Sequence, residues 1–335
     1  MILLRLARWI GLTLVAAILL VLGGWSALAI WFRFDTTEPI RALLVGIVVL
    51  LTIVAAMCLA TSRRSIALAA FAAFFAAILV WWSTVTPSND RDWQPDVARN
   101  VTAIIDGDRL VVSNVRNFNW RSDTDFDQRW EERTYSLSHV SNVDLILSHW
   151  AGEAIAHLIV SIGFDDGSRL AFSIETRKSR GEEYSAVAGF FRQYELSIVA
   201  ADERDVVRVR SNVRGEDVRV YRLRMPPIYA QALLREYVAE ANDMAIAPRW
   251  YNTLTGNCTT LVFGMIRLIR PGLHLDHRVL LSGYLPDYAY DVGATDTSIP
   301  FERLQQLARI HDKVVRADAD PDFSAKIREG LPLPH

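Results

Sequence analysis

Hydrophobic and polar positions follow three successive patterns along the chain. The first is continuous: three apolar runs, about Trp9–Phe32, Leu43–Ala60 and Ile66–Trp82, contain no charged residue. Each is near the roughly 20 residues that cross a bilayer as a helix, a form that satisfies every backbone group within the segment. A polar stretch over Thr84–Val97, with Pro87, Pro95 and several acidic positions, reads as a linker leaving the membrane. From there to about Met225 the period is two. Val101–Ile105 and Arg109–Val112 flank the hairpin dipeptide Asp106-Gly107, and Leu196–Ala200, Val206–Arg210 and Val218–Leu223 have the same strand character. Beyond Met225 the period becomes helical over Pro227–Ala245 and Cys258–Ile269, with Pro271-Gly272 ending the second segment. Strands first and helices after predict an α+β fold.

One hairpin can be registered from this pattern alone. Leu158, Val160, Ile162 and Phe164 alternate along one strand, Asp165-Asp166-Gly167 intervenes, and Leu170, Phe172 and Ile174 alternate along the next. A three-residue loop sets Ile162 against Leu170, Val160 against Phe172 and Leu158 against Ile174, so that the apolar residues meet on one side. Gly167 then takes the left-handed loop position, and a two-residue loop would oppose apolar to polar throughout. The same register sets His157 across from Glu175, with Cβ atoms roughly 4.5–5.5 Å apart.

Composition and charge add location. The 51% hydrophobic content is high for a soluble chain of 335 residues, and the three runs account for the excess. Arg5 and Arg8 precede the first run and Arg63-Arg64 lie in the second loop, against Arg33 and Arg41 in the first loop. Counting basic residues in short loops makes the N-terminus cytoplasmic and places everything after Trp82 outside, with Trp81 and Trp82 at the interface. A cleaved signal peptide is the competing reading, because Ala27-Leu28-Ala29 resembles a small-residue cleavage site; the length of the first run and the two that follow favour an anchor. A net charge of −2 and the lack of a basic stripe argue against nucleic acid as a partner.

The chain has two cysteines, Cys58 within the second apolar run and Cys258 far into the domain, so a disulfide between them is not expected. Cys258 follows Asn257, a good N-cap, and so opens the helix. Backbone N–H groups and the helix dipole favour a thiolate there and offer donors to an oxyanion, with Asn257 and Thr259 as the capping and oxyanion candidates. The other fate of such a residue is that of a small buried hydrophobe. A nucleophilic thiol needs a base and the base an orienting partner. Of seven histidines His157 fits best, because Glu175 can fix its tautomer; a surface strand histidine beside an acid is the alternative. Arg177 and Tyr184, in a charged segment after Glu175, are candidate contacts to a lipid head group, with a solvated loop as the plainer reading. Tyr251 and Asn252 are further candidate substrate contacts. No Cys-x-x-Cys, His-x-x-x-His, Gly-x-Ser-x-Gly or phosphate-binding glycine loop occurs, so no metal and no cofactor is expected.

Val115-Arg116-Asn117-Phe118-Asn119-Trp120-Arg121, Asp125–Tyr135, Ser173-Ile174-Glu175-Thr176-Arg177, Ala201-Asp202-Glu203-Arg204-Asp205 and Tyr251–Thr260 resemble the Lnb-type lipoprotein N-acyltransferase family. The resemblance spans about Asp92–Pro332 and is most specific around Cys258. It implies a circularly permuted papain-like (NlpC/P60-like) core in which the histidine precedes the cysteine, and it carries a Cys–His pair onto Cys258 and His157. Glu175 as third member rests in part on the hairpin register. Family members carry membrane helices after the domain, whereas here they precede it.

The expected organisation is therefore three transmembrane helices over 1–87 and a periplasmic thiol acyltransferase domain over 88–335, in a multi-pass inner-membrane protein. The resemblance implies transfer of an acyl chain from a phospholipid, through a Cys258 thioester, to the α-amine of a diacylated lipoprotein at the bilayer surface. The alternatives are an NlpC/P60-like thiol amidase or peptidase acting on cell-wall peptide, and a membrane-anchored binding module with an inert Cys258.

Overall fold

The computed structural model describes residues 2–334. The chain divides into two compact units, one of residues 1–88 with 185–193, the other of 89–184 with 194–335.

In the first unit the three apolar runs form α1 (Ile2–Arg33), α2 (Glu38–Cys58) and α3 (Arg64–Thr84), all long and apolar enough to cross a membrane. At about 1.5 Å per residue the two shorter helices match a hydrocarbon core of roughly 30 Å. Large apolar side chains such as Leu20, Leu50 and Val80 are exposed, as lipid-facing positions should be. Small residues let α1 and α2 approach: a Cβ on Gly23 would lie 2.2 Å from Thr52 Oγ1, and Ser26, Ala27 and Ala29 are buried. Residues 185–193 fold with these helices. Phe191 stacks on Phe32 at 5.8 Å, and Arg192 lies 4.5 Å over the Trp82 ring while donating to the carbonyls of Trp82 and Val85.

The second unit is built on a sheet of eight strands. In chain order the strands are β1 (Thr102–Asp106), β2 (Arg109–Arg116), a small separate pair β3 (Asn119–Trp120) and β4 (Phe126–Asp127), β5 (Trp130–Ser136), β6 (Val140–His149), β7 (Ala156–Phe164), β8 (Arg169–Arg177), β9 (Glu195–Ala201) and β10 (Asp217–Arg222). Their order is β1-β2-β9-β8-β7-β6-β10, with β5 also pairing β2. All pairs in the sheet are antiparallel except β2 with β9. The helices are α4 (Glu203–Val206), α5 (Pro227–Ile246), α6 (Cys258–Ile269), α7 (His277–Leu280), α8 (Leu285–Asp291), α9 (Phe301–Ala308), α10 (His311–Arg316) and α11 (Phe323–Lys326). The α+β class read from the periodicity is the observed one.

Helices cover both faces of the sheet. On one face Phe172 stacks on Tyr237 of α5 at 4.5 Å. On the other, Ile146, Ile159, Ala171 and Val199 pack with Val206, Ile310, Val314 and Phe323 in one core. The face of β7, β8 and β9 that carries serines is therefore buried as well: Ser161, Ser173 and Ser197 are fully enclosed. Two expectations fail. Val206–Arg210 is helical, the end of α4 followed by a π-type turn over Val209–Val213, because Asp202 caps the turn through the Arg204 N–H and Val206 and Val207 pack inward on the same side. The stretch after Thr84 is not a free linker throughout. From Asn89 it is an ordered strap, with Trp93 buried and bridged to Ser179, and Val97 in the core.

Candidate active site

The β7–β8 hairpin has the register its pattern dictates. Ile162 pairs with Leu170 and Val160 with Phe172, and Gly167 stands at φ +86° in the three-residue loop. Continuing from Ile159 and Ser173, this register sets His157 opposite Glu175, and Nε2 of His157 lies 3.3 Å from Glu175 Oε1. Ser173, two positions before Glu175 on the same face, comes between them. Its hydroxyl is 2.6 Å from His157 Nε2 and donates to Glu175 Oε1 at 2.6 Å. A serine has one hydroxyl proton. Since that proton goes to the carboxylate, Ser173 Oγ accepts from Nε2–H, and neutral His157 presents an unprotonated Nδ1. Arg210, from the π-type turn, donates to the same Glu175 oxygen at 2.7 Å.

Cys258 arrives from the other side of the sequence. Glu195 bridges to Trp250 and the Leu196 N–H bonds Arg249 O, so the segment ahead of α6 is fastened to the start of β9. Asn257 then caps α6: its Oδ1 accepts from the N–H groups of Thr259 and Thr260, and Thr260 Oγ1 accepts from the Asn257 N–H in return. The thiol so placed comes within electrostatic reach of His157 and of the Leu158 N–H.

The electrostatics follow from this packing. Burial pushes the Cys258 thiol up, but the hydrogen bond and charge of His157, with the Leu158 N–H and the Thr259 hydroxyl, bring it below the ordinary thiol value. Burial and the nearby Arg210 pull His157 down, yet the charge of Glu175 and the favourable interactions of the protonated ring with Cys258 and Glu175 outweigh them and raise it to about 8. Glu175 is disfavoured as a charge by burial and is nonetheless held well below the carboxylate range by His157, Arg210 and Ser173. The group is a thiol and an imidazole set for an ion pair, with a carboxylate that stays charged behind them.

The remaining sequence candidates divide. Tyr251 is nearly buried and is pushed up in pKa by burial, by Cys258 and by Tyr184. Tyr184 is 39% exposed and packs edge-on against Trp150, 51% exposed. Arg177 is a correction. It is 3% exposed, donates to the carbonyls of Val97 and Ala98 and to Asn89 Oδ1, and lies 4.4 Å over the Trp93 ring. Its guanidinium holds the strap and is not presented to a head group. Asn252 is likewise engaged by the chain: its Oδ1 accepts from the N–H groups of Leu254 and Thr255 and shapes the loop. Thr259 and Thr260 give their N–H groups to Asn257, so of these first-turn donors only that of Cys258 lies outside the cap. Ser173, Arg210 and the Leu158 N–H had no signal as site groups. Arg210 lies in a segment with a strand pattern, and Ser173 is one of several alternating serines.

The quoted motifs outside the site have a different task. Asp205 accepts from Arg116, from the Phe118 N–H and from the Trp120 indole N–H, so two of those segments meet at one buried carboxylate.

Fold and site together define an inner-membrane protein whose α+β domain carries a thiol–imidazole–carboxylate group. Residues 126–292, which include Cys258, His157 and Glu175, match the family model described as the Lnb N-terminal periplasmic domain. No curated protein and no solved structure matches the chain.

Proposed function

We propose that this protein is a lipoprotein N-acyltransferase with its domain in the periplasm and its N-terminus in the cytoplasm. The observation that carries the reading is the Cys258 thiol at the start of α6, its pKa lowered by His157, whose Nε2 is held by Ser173 and Glu175. Such a pair supplies a thiolate nucleophile and a proton carrier.

The Cys258 thiolate attacks an ester carbonyl of a phospholipid, forming the C–S bond. The ester C–O bond breaks, and the lysophospholipid hydroxyl leaves with the proton from His157. The free α-amine of a lipoprotein's diacylglyceryl-cysteine then attacks the thioester, His157 takes the amine proton, and the C–N bond replaces the C–S bond. The Leu158 N–H lies at the sulfur and the Cys258 N–H lies outside the cap, so these are the two backbone donors for the oxyanion. Thioesters suit the second step because amines attack them more readily than oxygen esters. Arg5, Arg8 and Arg63-Arg64 favour the stated orientation, and both lipid substrates then meet the domain at the bilayer surface.

Mass spectrometry of the purified full-length protein after incubation with phospholipid vesicles tests the reading. The expected result is an acyl adduct on Cys258 that neutral hydroxylamine removes. No adduct, with hydrolysis of a cell-wall peptide instead, would transfer the site to the amidase reading.

A further inference from the structure

Beside the thiol an apolar cavity of about 500 Å³ runs along α6. Its α6 wall is Thr259, Val262, Phe263, Ile266, Ile269 and Arg270, one face at helical spacing. From first to last these positions rise about 16 Å. Leu285 and Ala289 of α8 form the facing wall, and Leu145 and Leu223 close it from the sheet. The end at Thr259 adjoins the site, since Thr259 Oγ1 is 3.8 Å from Cys258 Sγ. Protein interiors ordinarily pack without voids larger than a water molecule. Roughly 300–1,000 Å³ with apolar walls is the range of small-molecule sites.

We propose that this cavity holds the fatty-acyl chain of the donor phospholipid, with the ester carbonyl at Cys258, and that its length along α6 sets the chain length accepted. Three observations carry this. The space is long and begins one side chain from the nucleophile. Its walls are mostly apolar, the polar residues being Thr259, Arg224, Arg270 and two tyrosines, of which the Tyr288 hydroxyl already donates to His274 O. Such walls suit methylenes and leave the amides of a peptide or the hydroxyls of a sugar unpaired. The cavity also lies on the face of the helix whose first residue carries the thiol, so the chain and the thioester bond are aligned by one rigid element. The inference rests on the acyltransferase reading and adds to it the determinant of chain selectivity.

The test is a competition within one reaction. Full-length protein is incubated with vesicles containing equal amounts of dodecanoyl and hexadecanoyl phosphatidylcholine, and the ratio of the two adducts on Cys258 is read by mass spectrometry. Ile266→Trp and Ala289→Phe narrow the middle of the cavity, and each should lower the long-to-short ratio roughly tenfold or more relative to wild type. Poor folding lowers both adducts together and leaves the ratio unchanged, so the readout is independent of yield. If neither narrowed variant forms an adduct, Ile266→Ala decides, and its ratio must move toward the long chain for the proposal to stand. Adducts formed by wild type and variants in the same ratio overturn the cavity assignment alone. The absence of any wild-type adduct from either lipid overturns the acyltransferase reading and the proposal with it.

Discussion

Asp144 on β6 and Glu175 on β8 are carboxylates of the same sheet, and each meets arginine, but their surroundings differ in kind. Asp144 is fully buried and is met by Arg169, Arg222 and Arg328; Arg328 also holds buried Glu203, which Ser161 contacts as well. Burial disfavours its charge, yet the three guanidinium groups hold it at about 2. Every member of that cluster faces another member, and Arg328 ties the C-terminal turns to the sheet. Glu175 is met by one arginine, and its other partners lead outward through Ser173 and His157 to a thiol. Its side chain is 19% exposed and that of His157 15%. The first cluster is closed, and altering it should change stability. The second is open at one end, and altering it should change chemistry.

The sharpest break of this contrast is Cys258→Ala. Acyl transfer should fall roughly 10³-fold or more, as it does when a nucleophile is removed, while the thermal unfolding midpoint stays near that of wild type. The opposite split is expected for Asp144→Ala, which takes their carboxylate from Arg169 and Arg222 and leaves Arg328 with Glu203 alone. A stability loss of about 3–5 kcal/mol should appear in denaturant unfolding, with activity per folded molecule retained. An activity loss without a stability loss at Asp144 would erase the distinction between the clusters.

Glu175→Gln should reduce turnover roughly 10²-fold and move the pH profile. The active ion pair needs a deprotonated Cys258, whose pKa is lowered, and a protonated His157, which loses its proton near about 8. Removing the carboxylate that raises His157 moves the basic limb to lower pH. The same shift has a stability consequence whose sign is fixed. His157 is raised in the folded state from 6.5 to about 8, so its contribution is complete below 6.5 and is lost as pH rises through about 8. Asp144 behaves oppositely: its contribution is present above 3.8 and is lost as pH falls through about 2. The smallest effect belongs to Ser173→Ala. The hydrogen bond Ser173 accepts from neutral His157 is worth about 1 kcal/mol, so a roughly fivefold loss in turnover is expected. A basic limb unmoved by Ser173→Ala but shifted by Glu175→Gln would assign the pKa control to the carboxylate and the orientation to the serine.

By itself the sequence determined what depends on neighbours in the chain. Three uncharged runs of membrane length became α1, α2 and α3. The Asp165-Asp166-Gly167 loop and strict alternation fixed the hairpin register, and with it the meeting of His157 and Glu175. Asn257 before an apolar helical stripe fixed Cys258 at the start of α6. These follow from turn chemistry, side-chain period and capping, which act over a few residues. Only the tertiary structure decided what spans distant segments. It brought Cys258 to His157 by fastening residues 249–251 to the start of β9, and it supplied Arg210 from a stretch whose alternation suggested a strand. It also turned Arg177 inward onto Trp93 and closed the serine face of the sheet under α10 and α11. Contacts of that kind depend on the order of strands and on which helix covers which face, and no short-range pattern in the sequence carries that information.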